Sequence, residues 1–209
     1  MVLPEKSGMN SSAVLVFAKI PGLGIAKSRI AATVGPLKAA EIYKKLLLVT
    51  ANQVQKMPYA VAYTGSDDPG VLRSIFASAV EFIPQEGRDL GQRLRNAFDH
   101  LYNQGIQFVV AVGCDCPIMT PDDLITAFGN LENGYDVVLG PSEDGGYYLT
   151  GCTKNALEIF SAVSWGSPDL LRETYGIIGR NGLRSKELRT LYDIDTMEDY
   201  RRWKQNECE

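Results

Sequence analysis

The segment Phe108-Val-Val-Ala-Val-Gly-Cys-Asp-Cys-Pro117 constrains this chain more than any other stretch. A continuous apolar run bounded by Gly and Pro predicts a strand covered on both faces, as in the interior of a parallel sheet. Asp115 then stands at the carboxyl end of that strand. In open α/β sheets ligands bind at that edge, because the loops leaving the strand ends form the crevice. Asp115 therefore reads as a candidate metal ligand, with helix capping as the alternative. Thr120 and the Pro121-Asp122-Asp123 start already furnish a cap and an acidic first turn for the next helix. That favours the ligand reading.

The rest of the chain alternates between two periodicities. Residues 13–17, 59–63 and 80–84 are short runs rich in β-branched and aromatic side chains, and read as strands. Residues 37–56 carry Leu37, Ala40, Tyr43, Leu47, Thr50 and Val54 at helical spacing, and further helices are predicted over 69–78, 89–103 and 121–131. Residues 136–141 and 146–151 are strand-like, helices follow near 154–160 and 168–179, and a last strand near residue 189 breaks into a terminal helix capped by Thr196. This order predicts an α/β fold: one domain over 1–209 with a loose terminus at 1–11, a mostly parallel central sheet flanked by helices, and a small hairpin region.

Three other stretches carry candidate chemistry. The loop Ala18-Lys-Ile-Pro-Gly-Leu-Gly-Ile-Ala-Lys-Ser-Arg29 leads from the first strand towards the first predicted helix. Gly22 and Gly24 permit the close backbone approach that a phosphate cradle needs, and Lys19, Lys27 and Arg29 bring positive charge. It is neither a Walker loop, since Ala26 precedes Lys27, nor a dinucleotide fingerprint. A solvated surface loop accounts for it equally well. Gln85 to Arg95 opens a helix with Asp89 as its cap, and a capped amphipathic helix suffices there. Ser142-Glu-Asp-Gly lies between two strand-like runs, so Asp144-Gly145 predicts a hairpin turn, while Asp144, two glycines and two tyrosines also suit a polar-ligand pocket. Finally, Asp193 and Asp195 alternate along an extended segment and so share one face, where two acids repel unless solvated or bridged by a cation.

A net charge of −4 argues against a phosphodiester-binding surface, and no apolar run approaches membrane-span length. No nucleic acid and no membrane partner are expected. The amino terminus lacks the apolar core of a secretory signal, so a cytoplasmic location is expected. Cys114, Cys116 and Cys152 read as packed thiols and Cys208 as a tail residue. His100, the sole histidine, reads as a solvent-facing helix residue, which leaves a Ser/His/Asp or Cys/His hydrolase without support.

Five motifs, in order and across nearly the whole chain, resemble the nucleotide-diphospho-sugar transferase superfamily with the GT-A fold. They are Ala18-Lys-x-Pro-x-x-Gly-x-x-Lys-x-Arg29, Asp89-Leu-Gly91, Gly113-x-Asp-Cys-Pro117, Gly140-Pro-x-x-Asp-Gly-Gly-Tyr-x-Leu-x-Gly151 and Asp193-Ile-Asp-Thr-x-Glu-Asp199. The set is similar to small bacterial transferases related to the phospholactate guanylyltransferases. Ser28, the Gly87-Arg-Asp-Leu run and Gly166 after Trp165 depart from the usual pattern.

The resemblance implies a nucleotide donor held by Lys19, Gly22, Gly24, Lys27, Arg29 and Gly91. It implies a divalent ion, Mg2+ or Mn2+, on Asp115 and Asp195, with Asp193 as the alternative second ligand. Asp144, Gly145, Gly146, Tyr147 and Trp165 would face a small-molecule acceptor. Lys27, Arg29 and Asp115 would then carry catalysis, most simply nucleotidylyl transfer from a nucleoside triphosphate to a phosphorylated acceptor. Glycosyl transfer from a nucleoside diphosphate-sugar is the alternative, and a non-catalytic nucleotide-binding module the third reading. No oligomeric state follows from these motifs.

Overall fold

The computed structural model describes residues 11–22, 27–65, 68–161 and 164–206. Seven strands among them form one sheet: β1 (Ser12–Lys19), β2 (Tyr59–Thr64), β3 (Glu81–Pro84), β4 (Phe108–Val112), β5 (Val137–Pro141), β6 (Tyr147–Cys152) and β7 (Ser185–Glu187). Their spatial order is β3-β2-β1-β4-β6-β5-β7. Within it β6 runs antiparallel to its neighbours β4 and β5, and the other pairings are parallel. The mostly parallel sheet and the β5–β6 hairpin are as the sequence predicts.

Helices cover both faces. Leu47 and Val54 of α2 (Pro36–Val54), Leu72 of α3 (Gly70–Ile75) and Leu124 and Phe128 of α5 (Pro121–Glu132) pack with Val16, Val110 and Val138 on one side. On the other side, Leu94 and Phe98 of α4 (Leu90–Asn103), the 3-10 helix Lys154–Phe160 and Ile178 of α6 (Leu170–Arg180) pack with Leu15, Ala111 and Leu139. Val109 to Val112 are buried, as the apolar run requires. No helix among the described residues is long and apolar enough to cross a membrane.

The structure differs from the sequence reading in four places. A two-turn helix, α1 (Ser28–Val34), begins inside the supposed loop and buries only Ile30, too little apolar signal to detect. Leu37 is 71% exposed and Ala40 only partly buried, so the predicted face of α2 holds at Tyr43, Leu47, Thr50 and Val54 but not in the first turn. Besides facing the sheet, α2 buries Ala39, Ile42 and Leu46 against Ile30, Ile194 and Trp203, the last on α7 (Met197–Asn206). The expected strand near residue 189 is extended chain with a single bridge from Leu191 to Ser142. The strand beside β5 is instead β7, whose Ser-Lys-Glu sequence gives no apolar alternation because it lies at an exposed edge.

Candidate active site

From β1 the chain crosses to β2 and β3 on one side and later returns to β4 on the other. The carboxyl ends of β1 and β4 are thus a topological switch point, and Val16 pairs directly with Val112 there. Asp115 lies in the loop after β4. Gln53 of α2 secures that loop by donating Nε2 hydrogen bonds to the Pro117 and Met119 carbonyls, at 2.9 and 2.6 Å. The cap of α5 closes it, with the Asp123 carboxylate accepting from the Thr120 amide and hydroxyl. Asp115 is therefore free of capping duty.

The far end of the chain returns to the same loop. The Leu191 amide donates to the Pro141 carbonyl and the Ile194 amide to the Asp115 carbonyl, at 3.0 and 2.8 Å. Ile194 is fully buried, so Asp193 and Asp195 emerge on either side of an anchored residue. Thr196 and Asp199 then cap α7: the Thr196 hydroxyl accepts from the Asp199 amide, and the Asp199 carboxylate accepts from the Asp195 and Thr196 amides.

Lys27 joins these pieces. Its Nζ lies 2.7 Å from Asp115 Oδ1 and 3.0 Å from Asp195 Oδ1. The lysine side chain is 4% exposed, whereas the carboxylates are 46% and 44% exposed. Burial alone would lower the Lys27 pKa, but the charges and hydrogen bonds of Asp115 and Asp195 outweigh it and raise the pKa. Lys27 is also the sole non-glycine with positive φ among the described residues, at φ 58° and ψ 49°. Left-handed backbone costs an L-residue about 1 kcal/mol, so the tertiary contacts hold an otherwise disfavoured turn that aims the ammonium inward. Arg29, 75% exposed, reaches within 3.7 Å of Asp195.

Two adjoining cavities open at this point. One, of about 490 Å³, is lined by Lys19, Lys27, Arg29 and Arg93 together with Asp115 and Asp195. The other, of about 500 Å³, has aromatic walls in Phe17, Tyr147, Tyr148 and Trp165, with Asp144, Gly146 and Asp193 among its polar lining. Phe17, Arg29, Leu90, Gly113 and Asp115 border both. Asp193 has a different partner: its carboxylate accepts from the Ser142 hydroxyl at 2.9 Å. Burial, with Asp115 and Asp144 nearby, pushes its carboxyl up to about 7 against the opposing Ser142 hydrogen bond and Lys27.

Lys19, Lys27, Arg29, Asp115 and Asp195 thus share one cavity, and Asp144, Gly146, Tyr147 and Trp165 share the other. Three glycines behave differently. Gly91 lines neither cavity: it is buried on α4, where an added Cβ would stand 2.3 Å from both the Phe160 carbonyl oxygen and Trp165 Nε1. That close packing seats Trp165 against α4. Gly145 lines neither cavity either. With φ at +89° it forms the hairpin turn, and a Cβ there would meet the Pro168 carbonyl oxygen at 2.1 Å. Gly22 follows β1 without reaching a cavity wall, and Gly24 lies outside the described residues. Asp144 stands in the hairpin turn, where its Oδ1 accepts from the Gly146 amide, and it also lines the aromatic cavity.

Sequence reasoning missed several supporting groups. The Tyr43 hydroxyl accepts from the Lys19 amide and donates to the Lys19 carbonyl, fixing the end of β1. Gln85 donates to the Ala62 carbonyl beneath the cationic cavity. Arg93 adds a cation from α4. Gln53, Tyr43 and Arg93 sit in helices, where no local motif marks them. His100 faces solvent and pairs with Glu81 at 2.8 Å, and Cys114, Cys116 and Cys152 are buried free thiols.

This sheet order, with a cationic cleft at the switch point, is the fold of nucleotide-diphospho-sugar transferases. A protein of Desulfovibrio desulfuricans G20, provisionally assigned to that class, superposes with a TM-score of 0.84 at 30% identity, over 90% of this chain and 84% of its own. Glucosyl-3-phosphoglycerate synthase of Mycobacterium tuberculosis, solved with Mn2+, UDP and glucosyl-3-phosphoglycerate, shares the fold alone. Its TM-score is 0.54 at 13% identity, over 87% of this chain and 71% of that one. Within the class, the chain belongs to the family described as "Uncharacterized protein conserved in bacteria (DUF2064)", whose model matches residues 47–167. It is also similar to the phosphoenolpyruvate guanylyltransferase of Chloroflexus aggregans, 27% identical over 130 residues. That match takes in 59% of this chain and 63% of the relative's length.

Proposed function

We propose that this protein transfers a nucleotidyl group from a nucleoside triphosphate to a phosphorylated small molecule, with a divalent metal ion as cofactor. The observation that carries this is the pair of adjoining cavities meeting at Asp115, one ringed by four cationic side chains and the other walled by aromatics. Two sites that share a reactive junction are what a two-substrate transfer needs. The similarity to a guanylyltransferase supports the nucleotidyl form of the reaction.

The donor set fits Mg2+ or Mn2+. Asp115 and Asp195 offer hard carboxylate oxygens, and the Lys27 ammonium between them marks that space as one suited to positive charge. Among the described residues no three His, Cys, Asp or Glu side chains form a metal-holding group. Magnesium is commonly held by one or two carboxylates with substrate phosphates and water completing its shell. Asp195 suits the second position better than Asp193, because it shares Lys27 with Asp115. When bound, such an ion neutralises phosphate oxygens and aligns them.

The chain's own residues do the rest. Lys19, Lys27, Arg29 and Arg93 receive the triphosphate, and Lys27 exchanges its carboxylate partners for phosphate oxygens. The acceptor phosphate, entering from the aromatic cavity, forms a new P–O bond to the α-phosphorus in line as the bond to the leaving pyrophosphate breaks. The cations offset the charge that moves onto pyrophosphate. No protein nucleophile takes part.

The test is product identity. With magnesium chloride, each of the four common nucleoside triphosphates and a panel of phosphorylated acceptors should release pyrophosphate, and Asp115→Ala should abolish it. Release of nucleoside diphosphate from nucleotide-sugars, without pyrophosphate from any triphosphate, would replace this reading with glycosyl transfer.

A further inference from the structure

Arg202 on α7 lines neither cavity, yet it reaches back to the turn beside them. Its guanidinium forks onto Glu143, with Nη1 2.8 Å from Oε2 and Nη2 3.1 Å from Oε1, and its Cζ lies 3.8 Å from the centroid of the Tyr192 ring. Both side chains of the ion pair are half exposed, and an ordinary surface pair of that kind contributes little to stability. This pair differs in geometry. A planar fork on a carboxylate, laid on an aromatic face, fixes position as well as charge.

What the fork holds is the turn between β5 and β6. The Ser142 hydroxyl donates to Asp193, the Glu143 amide to the Leu191 carbonyl at 2.9 Å, and the Leu171 amide to the Gly145 carbonyl at 3.0 Å. The turn is thus tied to the segment that carries Asp193 and Asp195 and to the start of α6. Its tip, Glu143 and Asp144, is exposed and gains little from burial, while Asp144 and Gly146 line the aromatic cavity. Residues 189–202 carry a second fork at their other end, Arg189 on Asp123, with both contacts at 2.7 Å. One segment therefore runs from the loop that bears Asp115 to this turn, and Arg202 supplies its second attachment.

We propose that Arg202 is a positioning residue: through Glu143 it keeps the Ser142–Gly146 turn where Asp144 and Gly146 stand in the wall of the aromatic cavity and Ser142 stays on Asp193. The assignment rests on the transfer reading above, in which that cavity takes the acceptor. Arg202 meets neither substrate. Its loss should be felt by the acceptor, and not by the triphosphate in the cationic cavity.

The test compares Arg202→Gln with Arg201→Gln, which removes the same charge from the exposed neighbour on α7. The amides of Ser142, Glu143, Gly145 and Gly146 are all hydrogen-bonded, so their hydrogen–deuterium exchange in the full chain reports the turn. They should exchange about tenfold faster in Arg202→Gln, with Val109 to Val112 unchanged and Arg201→Gln like the wild type. Glu143→Gln should reproduce the effect. Arg202→Lys should restore only part of it, because an ammonium cannot fork, and Arg202→Gln with Glu143→Gln together should be no worse than either alone. In pyrophosphate assays with the phosphorylated acceptor that turns over fastest, Arg202→Gln should raise the acceptor KM about tenfold and leave the triphosphate KM and the magnesium dependence as they are. Unchanged exchange in the turn, additive effects of the two single variants, or equal rises in both KM values would overturn the assignment. If no triphosphate yields pyrophosphate with any acceptor, nucleotidyl transfer falls, and the exchange rates and the double variant still decide whether Arg202 sets the turn.

Discussion

Replacing Lys27 by Met should destabilise the metal-free protein and make its stability responsive to magnesium. In the wild type the ammonium lies 2.7 and 3.0 Å from two carboxylate oxygens. Methionine keeps the stem, and its backbone strain in the left-handed region is like that of lysine, so the change isolates the charge. Breaking a fully buried ion pair costs about 3–5 kcal/mol. Asp115 and Asp195 are nearly half exposed, so water recovers part of that, and the expected cost is about 2 kcal/mol. For a chain of this size that lowers the melting temperature by roughly 4–8 °C. A divalent ion binding only the folded state then raises it again in proportion to the logarithm of its concentration. The assay is thermal unfolding with EDTA and across a magnesium series, for wild type and Lys27→Met. The variant should begin lower and gain more per decade of magnesium, since no ammonium competes for the carboxylates. Equal melting temperatures in EDTA, or equal magnesium responses, would refute the reasoning. The lysine's own pKa is raised, so its contribution is complete below the unfolded lysine pKa, and is lost only as pH climbs through the higher folded value.

Gly91→Ala should cost about 1–3 kcal/mol in urea unfolding and raise the acceptor KM more than the donor KM, because a Cβ at 2.3 Å displaces Trp165. Asp115→Asn should lower kcat at least about a hundredfold while leaving the melting temperature within a few degrees, as the residue is 46% exposed. Asp123 is held below the usual carboxylate range: burial opposes this, but the Arg189 hydrogen bond and the Thr120 amide and hydroxyl prevail. Its stabilisation is therefore present above the unfolded aspartate pKa and is lost as pH falls through the lower folded value. The stability gap between wild type and Asp123→Asn, measured by denaturant unfolding, should be wide at pH 7 and close below about pH 4.

The parts of this architecture that were legible from the sequence are those whose signal is local. Val109 to Val112 are apolar because both sheet faces are covered, so a run of four adjacent residues announced an interior strand. Asp144-Gly145 announced a hairpin because few residues adopt the turn it requires, and Asp89 and Thr120 announced helix starts through their own capping chemistry. β7 was illegible because an exposed edge needs no apolar alternation, and α1 because two turns bury one side chain. The face of α2 was read correctly from Tyr43 to Val54, but the helix packs against α7 as well as the sheet, so a single-face pattern omits the second stripe of Ala39, Ile42 and Leu46.

The site divides along the same line. The residue types were readable, since cations after β1 and acids after β4 belong to short motifs. Their relations were not, because they depend on contacts across the chain. Lys27 and Arg29 read as one phosphate-binding pair, yet one is buried and the other exposed. The difference comes from the left-handed turn at Lys27, which has no glycine to mark it, and from a carboxylate 168 residues away. That pairing gives the resting protein a position where positive charge is already stabilised and the carboxylates already oriented. On the proposed function, an incoming divalent ion would displace the ammonium, and the freed lysine would take a donor phosphate as its next partner. Loading of metal and donor would thereby be linked through one side chain, so magnesium and nucleotide should each tighten the other's binding in the wild type and do so less in Lys27→Met.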